Sequence, residues 1–208
     1  MKTIYFDYNA TTPLDADALE AMKPFFMDNF GNPSSIHRIG RKARVQLDNL
    51  REKAASLLNC KSHELIFTSG GTESNNLALF GVSRLLGRDN KRTIISSPVE
   101  HHAVLHCLDY MDKQEDFDIH YTSVDHDGRV LLPEFQKLIE EHRDKTAVVT
   151  VMAANNETGC IQPFQEIGEI CHDNKVLFHC DAAQWFGKEA INDGIRTFNA
   201  DFVSICSH

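Results

Sequence analysis

From residue 61 onward, short apolar runs rich in Val, Ile and Phe alternate with longer stretches whose apolar positions recur every three or four residues. The first pattern predicts strands and the second predicts amphipathic helices. Strands are expected over residues 65–69, 93–97, 117–124, 147–153, 176–180 and 201–206. Helices are expected between them over 73–86, 102–112, 133–141 and 164–173. Thr72 precedes the first of these helices, and Pro133 and Pro163 stand at first-turn positions of two others. Regular alternation of strand and helix argues an α/β fold, with a mainly parallel sheet and helices on both faces.

The first 60 residues follow another pattern. A short strand over 3–7 leads into a helix over 15–29, then a turn-rich FGNPSSIH, then a long polar helix over 40–58. Phe25, Phe26 and Phe30 give the first helix an apolar face that needs a partner. We read residues 1–15 as an N-terminal arm, 16–60 as helices of a smaller domain, and 61–208 as an incomplete larger domain. The last strand pattern, ADFVSICSH, places Ser204, Cys206 and His208 on one polar face. It runs to the final residue with no turn, glycine, proline or charged tail after it. A chain end in solvent seldom looks like this, and the sequence reads as breaking off inside an element.

Composition narrows the partners. The chain has 208 residues and a formal net charge of −9, which disfavours nucleic acid or an anionic membrane as the main partner. No apolar run reaches the length of a membrane span, and the N-terminus lacks the apolar core of a signal peptide. The six cysteines are scattered without a CxxC pair. Free thiols in a reducing cytoplasm are the expectation.

Four candidate sites lie where predicted strands end. In FTSGGTESNN, Gly70 and Gly71 lead into a helix whose first N–H groups could cradle a phosphate. A capped strand-to-helix turn is the simpler alternative. In FHCDAAQWFGK, Asp181 ends a strand, on the edge where open α/β sheets bind ligands. It wants a cationic partner such as a protonated heterocyclic nitrogen, although a helix cap or an ion pair with Lys188 would also account for a lone aspartate. In SSPVEHHAVL, His101 sits between strand and helix and could stack on an aromatic cofactor or move a proton; for it, as for His102 and His106, a satisfied surface histidine is the competing reading. His102 and His106 share a helical face, but two ligands without a third do not make a metal site; no metal is expected. In MAANNETG, Asn155 and Asn156 offer amides, or simply form a turn. Together these ends supply a phosphate cradle, a carboxylate, an imidazole and an amide along one sheet edge. A phosphorylated heterocycle with a basic ring nitrogen needs such a set.

These blocks resemble the fold-type I pyridoxal-phosphate enzymes, most closely the NifS/IscS-type cysteine desulfurases of the class V aminotransferase group. The resemblance is carried in order by YFDYNATTP, FGNPSSIH, TSGGTESNN, EHHAVL, MAANNETG, DAAQ and the final SH. It implies pyridoxal 5'-phosphate as cofactor. It assigns Gly71 and Thr72 to the phosphate loop, and His101 to stacking on the pyridine ring and proton transfer. Asn156 and Gln184 fall near the ring hydroxyl, and Asp181 on the ring nitrogen. His208 matches the histidine just before the Schiff-base lysine. Cys206 stands where the family usually has a phosphate-binding serine. A thiol is a weaker donor, and Ser207 is the residue that would compensate. The chain end has two explanations: a truncated chain, or an interruption at a cofactor-modified lysine. The position of the break favours the second.

The implied reaction removes sulfur from L-cysteine, leaving L-alanine and an enzyme persulfide. The nucleophilic cysteine and the carboxylate-binding arginine would lie beyond residue 208, and none of the six cysteines present matches the nucleophile's motif. The resemblance also implies a homodimer and an iron-sulfur scaffold or other sulfur acceptor, in the cytoplasm. The rival expectations are another class V enzyme, such as a selenocysteine lyase or an aminotransferase, and a catalytically dead fragment or scaffold.

Overall fold

The computed structural model describes residues 3–87, 90–191 and 193–207. His208 lies outside the described residues. The chain divides into two compact units, Met1–Phe67 and Thr68–Ser207.

The first unit is helical. Helix α1 (Ala16–Met27) is capped by Asp15, whose carboxylate accepts from the N–H groups of Asp17 and Ala18. That satisfies two of the donors a helix start leaves open. Helix α2 (Arg38–Leu57) is capped by the His37 side chain and buries Gly40, Ala43 and Ala55. A 3-10 turn, Ser62–Glu64, follows. Two expected strands are absent here. Residues 3–7 form no ladder, and residues 65–69 form no strand and end in a bend at Ser69. Ile66 and Phe67 are consequently exposed, and Phe67 is covered on one side by the Arg51 guanidinium at 4.6 Å. Alternation alone predicts extended backbone; a strand also needs a neighbour. Helix α1 buries no residue at all, and Phe26 and Phe30 remain exposed.

The second unit holds the sheet. Its elements are α3 (Gly71–Leu86), β1 (Thr93–Ser96), α4 (His102–Glu115), β2 (Asp118–Tyr121), α5 (Leu132–His142), β3 (Thr146–Met152), α6 (Phe164–Asp173), β4 (Leu177–Asp181) and β5 (Phe202–Ser204). The strand order is β2-β1-β3-β4-β5, and all four pairings are parallel. Each predicted strand from 93 onward is present, most of them shorter than the apolar run. Thr72 lies inside the first turn of α3 rather than capping it. The cap is Gly70, which has no side-chain acceptor to offer.

Period-two alternation divides the core between the two faces. Ile94 and Val148 pack with Leu79 and Val82 of α3 and with Val104, Leu108 and Met111 of α4. Ile95, Val149, Val151 and Phe178 pack on the opposite face with Phe135 and Ile139 of α5 and Phe164 and Ile167 of α6. Every residue of β3 is buried, as expected of a central parallel strand covered on both sides. The chain steps outward from β1 to β2, then crosses back over β1 to β3 and proceeds to β4 and β5. The direction of winding therefore reverses between β1 and β3, which opens a crevice at their C-terminal ends.

Candidate active site at the C-terminal edge of the sheet

Because all five strands are parallel, the segments that follow β1, β3, β4 and β5 lie along one edge. Asp181, the last residue of β4, is buried. A carboxylate in that position needs hydrogen bonds to replace water. Asn75 Nδ2 donates to its Oδ2 at 2.6 Å, and the Ala183 N–H donates to its Oδ1 at 3.1 Å. Lys188 does not pair with it; the lysine instead donates to Gln184 Oε1. The ion-pair alternative for Asp181 therefore falls.

Asn75 lies in the first turns of α3, so the carboxylate is tied to that helix start. A second tie runs beside it. Ser74 Oγ donates to Ser204 Oγ at 2.9 Å, and Ser204 is the register partner of Asp181 in β5. The opening of α3 meets the end of β5 once more at Gly71, where a Cβ would stand 2.9 Å from Cys206 Sγ. Only glycine leaves that thiol in place. With Gly70 as cap, no side chain caps the first N–H groups of α3 among the described residues, so they are available to an anion.

His101 is the N-cap of α4. Its Nδ1 accepts from the Ala103 N–H at 3.1 Å. This bond orients the ring and occupies Nδ1, leaving Nε2 for other partners. His101 and Thr72 line one open cavity of about 410 Å³, together with Asn76, Phe80, His102, Ala103, His106, Cys107 and Tyr110. His102 and His106 stack at 5.2 Å between centroids. Among the described residues, the one cluster of three potential metal ligands is the Asp125–His126–Asp127 turn.

The two asparagines after β3 differ in role. Asn155 is buried and builds its own turn. Its Oδ1 accepts from the N–H groups of Glu157 and Thr158, both at 2.9 Å, and its Nδ2 donates to Val99 O at 2.8 Å. Asn156 is half-buried, and its Nδ2 reaches Glu157 Oε1 at 2.9 Å. Gln184 is half-buried just beyond β4, and Ser207 is exposed.

Sequence reasoning missed a polar layer beneath this edge. His179 is fully buried, with Nδ1 at 2.9 Å from Thr150 Oγ1 and Nε2 at 3.0 Å from Ser204 Oγ. Burial lowers its pKa to about 4, partly offset by the charge of Asp181. The ring is neutral at neutral pH and links β3, β4 and β5. A signal for it was present: His179 is two residues before Asp181, on the same face of the same strand. The polar face expected for the last strand is real at Ser204, which turns inward to this layer.

Comparison with known proteins agrees with the architecture. The profile of the Aminotransferase class-V family matches residues 4–208. The chain is 44% identical over 207 residues to the cysteine desulfurase IscS of Dictyoglomus turgidum, covering 100% of this chain and 51% of that protein. It is 42% identical over 207 residues to the cysteine desulfurase IscS of Methanosarcina thermophila, covering 100% of this chain and 50% of that protein. A solved NifS-like protein superposes with a TM-score of 0.88 at 40% identity, over 97% of this chain and 54% of its own. A structure of SspA in complex with cysteine gives 0.89 at 34%, over 99% and 57%. The chain spans about half the length of the curated relatives it matches. With a five-stranded parallel sheet that superposes on these structures and a family match over nearly every residue, the chain belongs to the class-V aminotransferase family.

Proposed function

We propose that this chain is the cofactor-binding part of a pyridoxal 5'-phosphate-dependent cysteine desulfurase, which takes sulfur from L-cysteine and leaves L-alanine and an enzyme persulfide. The observation that carries the reading is the joining of an anion cradle to a buried carboxylate. The uncapped start of α3 and Asp181 are held together by Asn75 at 2.6 Å. A phosphate at one and a protonated ring nitrogen at the other are the two charges that this pair accommodates.

The donor set fits the cofactor. Backbone N–H groups at Gly71 and Thr72 would hold the phosphate, and the missing Cβ at Gly71 keeps the approach open. Cys206 packs against this cradle as a weak donor, with Ser207 beside it. Asp181 would hold the proton on the ring nitrogen. Asn156 and Gln184 would orient the ring hydroxyl. His208, outside the described residues, would precede the lysine that carries the cofactor. When bound, the cofactor supplies a ring that draws electrons from the substrate carbon. His101 can hold or pass a proton only at Nε2 while it caps α4, because Nδ1 is occupied by the Ala103 N–H. The reading extends to a homodimer whose partner surface covers the apolar face of α1. It further extends to a cytoplasmic sulfur acceptor, such as an iron-sulfur scaffold.

The full-length protein should turn yellow with pyridoxal phosphate and bleach on borohydride reduction. It should form alanine from L-cysteine with matching persulfide. A protein that stays colourless with added cofactor would overturn the reading. Amino-group transfer to a keto acid without alanine formation would move it to the aminotransferases.

A further inference from the structure

The loop between β1 and α4 carries a carboxyl group that the proposed chemistry does not use. Glu100 is 5% exposed. It lies in the crevice between β1 and β3, where the winding of the sheet reverses. Its Oε1 accepts twice, from Ser97 Oγ within the loop and from the Met152 N–H at the end of β3, the latter at 3.0 Å. Its Oε2 is buried and has no hydrogen-bond partner among the described residues. Asn155 Nδ2 pins the same loop at Val99 O, at 2.8 Å. The loop is thus fastened to the end of β3 and to the turn that follows it, immediately before His101.

We propose that Glu100 is held as a neutral carboxylic acid, and that in this form it is the positioning residue that sets His101 over the sheet edge. The geometry favours the neutral form, since an unpartnered buried hydroxyl costs less than an unpartnered buried charge. A carboxylate would leave Oε2 bare in a dry crevice, and such a charge is costly unless paired. No ion pair among the described residues involves Glu100. The titratable groups that interact with it are Asp181 and Cys180, both on β4. Asp181 is itself a carboxylate, the register partner of Met152. The charge of Asp181 disfavours a second charge at Glu100, and Asp181, unlike Glu100, has donors on both oxygens. Burial pushes the Glu100 carboxyl up to about 8; its bonds to Ser97 and Met152 pull the other way, and the charge of Asp181 adds to the rise. Ionisation therefore falls at the alkaline end of the working range. There it would bring a second negative charge into the crevice and strain the fastening of the loop.

The inference rests on the reading of His101 as a cofactor-facing group, and the test separates the two. In the full-length protein, infrared difference spectra of wild type minus Glu100→Gln should show a protonated-carboxyl band at neutral pH. That band should vanish as pH rises through about 8. Pyridoxal phosphate affinity, measured by visible absorption, should be similar in wild type and Glu100→Gln at neutral pH. Above the transition the wild type should weaken relative to the variant, by at most about tenfold per pH unit for one linked proton. Glu100→Ala, which removes the fastening, should bind weakly at every pH. A wild-type spectrum without the band at neutral pH overturns the proposal, as does an affinity ratio that stays flat with pH. Failure of Glu100→Gln to fold also overturns it, since glutamine is the isostere of the neutral acid. If the wild type binds no pyridoxal phosphate at any pH, the proposed function falls, and the infrared band still decides the state of Glu100.

Discussion

Acid should loosen the polar layer through His179, and the size of the effect follows from its burial. The imidazole is fully buried, and both ring nitrogens are engaged by Thr150 and Ser204. Its pKa falls from the usual 6.5 to about 4, chiefly because burial disfavours the charged ring. The unfolded chain therefore binds a proton near 6.5 that the folded chain refuses until about 4. Stability is complete above the unfolded value and is lost as pH falls between the two. At about 1.4 kcal/mol per unit, the full loss is on the order of 3 kcal/mol. Other carboxylates also titrate in this range, so the measurement must be differential. His179→Gln keeps a neutral polar group but cannot titrate. It should cost about 1–3 kcal/mol at neutral pH, because one of the two hydroxyls loses its partner. Urea unfolding of both proteins from about pH 7 down to about pH 4 should show the wild type losing roughly 3 kcal/mol more than the variant. Parallel curves would refute the claim that a neutral, buried imidazole joins the strands.

Two further substitutions test the edge and the core separately. Asp181→Asn should leave a folded protein, because the Asn75 Oδ1 that now lacks a partner can rotate to accept from the new amide. Desulfurase turnover should nevertheless fall on the order of 100-fold, as for loss of a preorganised charge in other sites; unchanged turnover would exclude a role for its charge. Gly168→Ala would set a Cβ 2.2 Å from Asn199 O and 2.9 Å from Asn199 Cβ. The first of these is backbone that cannot swing aside, so α6 or the 194–198 turn must shift. Thermal unfolding should report a loss of about 1–3 kcal/mol, despite the better helix propensity of alanine.

The inner strands of the sheet were legible because they are buried on both faces and write near-continuous apolar runs into the sequence, as in TAVVTVM. The segment 65–69 is also rich in strand formers yet forms no ladder, since composition reports what a segment can do and pairing depends on what lies alongside it. The glycines of SGG and the strand-terminal Asp181 were legible for a similar reason: punctuation at the end of a recognised strand has few explanations. Ser74 and Asn75 were not. They sit one helical turn inside α3, where small polar residues normally face solvent. Only the docking of α3 over β4 and β5 turns them inward. Glu100 was hidden differently. It reads as an ordinary charged loop residue beside two histidines, and its meaning comes from the end of β3, fifty-two residues away.

What these buried polar groups have in common is that they let one carboxylate exist in a dry place. An apolar filling at Ser74, Asn75, Thr150, His179 and Ser204 would pack as well, yet it would leave Asp181 without a donor on one oxygen. An extra cation would satisfy the carboxylate but would also neutralise the charge that a protonated ring nitrogen needs to meet. Amides, hydroxyls and a neutral imidazole avoid both outcomes, because they donate hydrogen bonds without adding charge. By the same logic Glu100 must stay protonated, since a second carboxylate would compete for the same proton. The edge is thus built so that Asp181 holds the negative charge of the crevice while its neighbours remain neutral. In the proposed function, that arrangement would let the edge distinguish a cationic heterocycle from a neutral one.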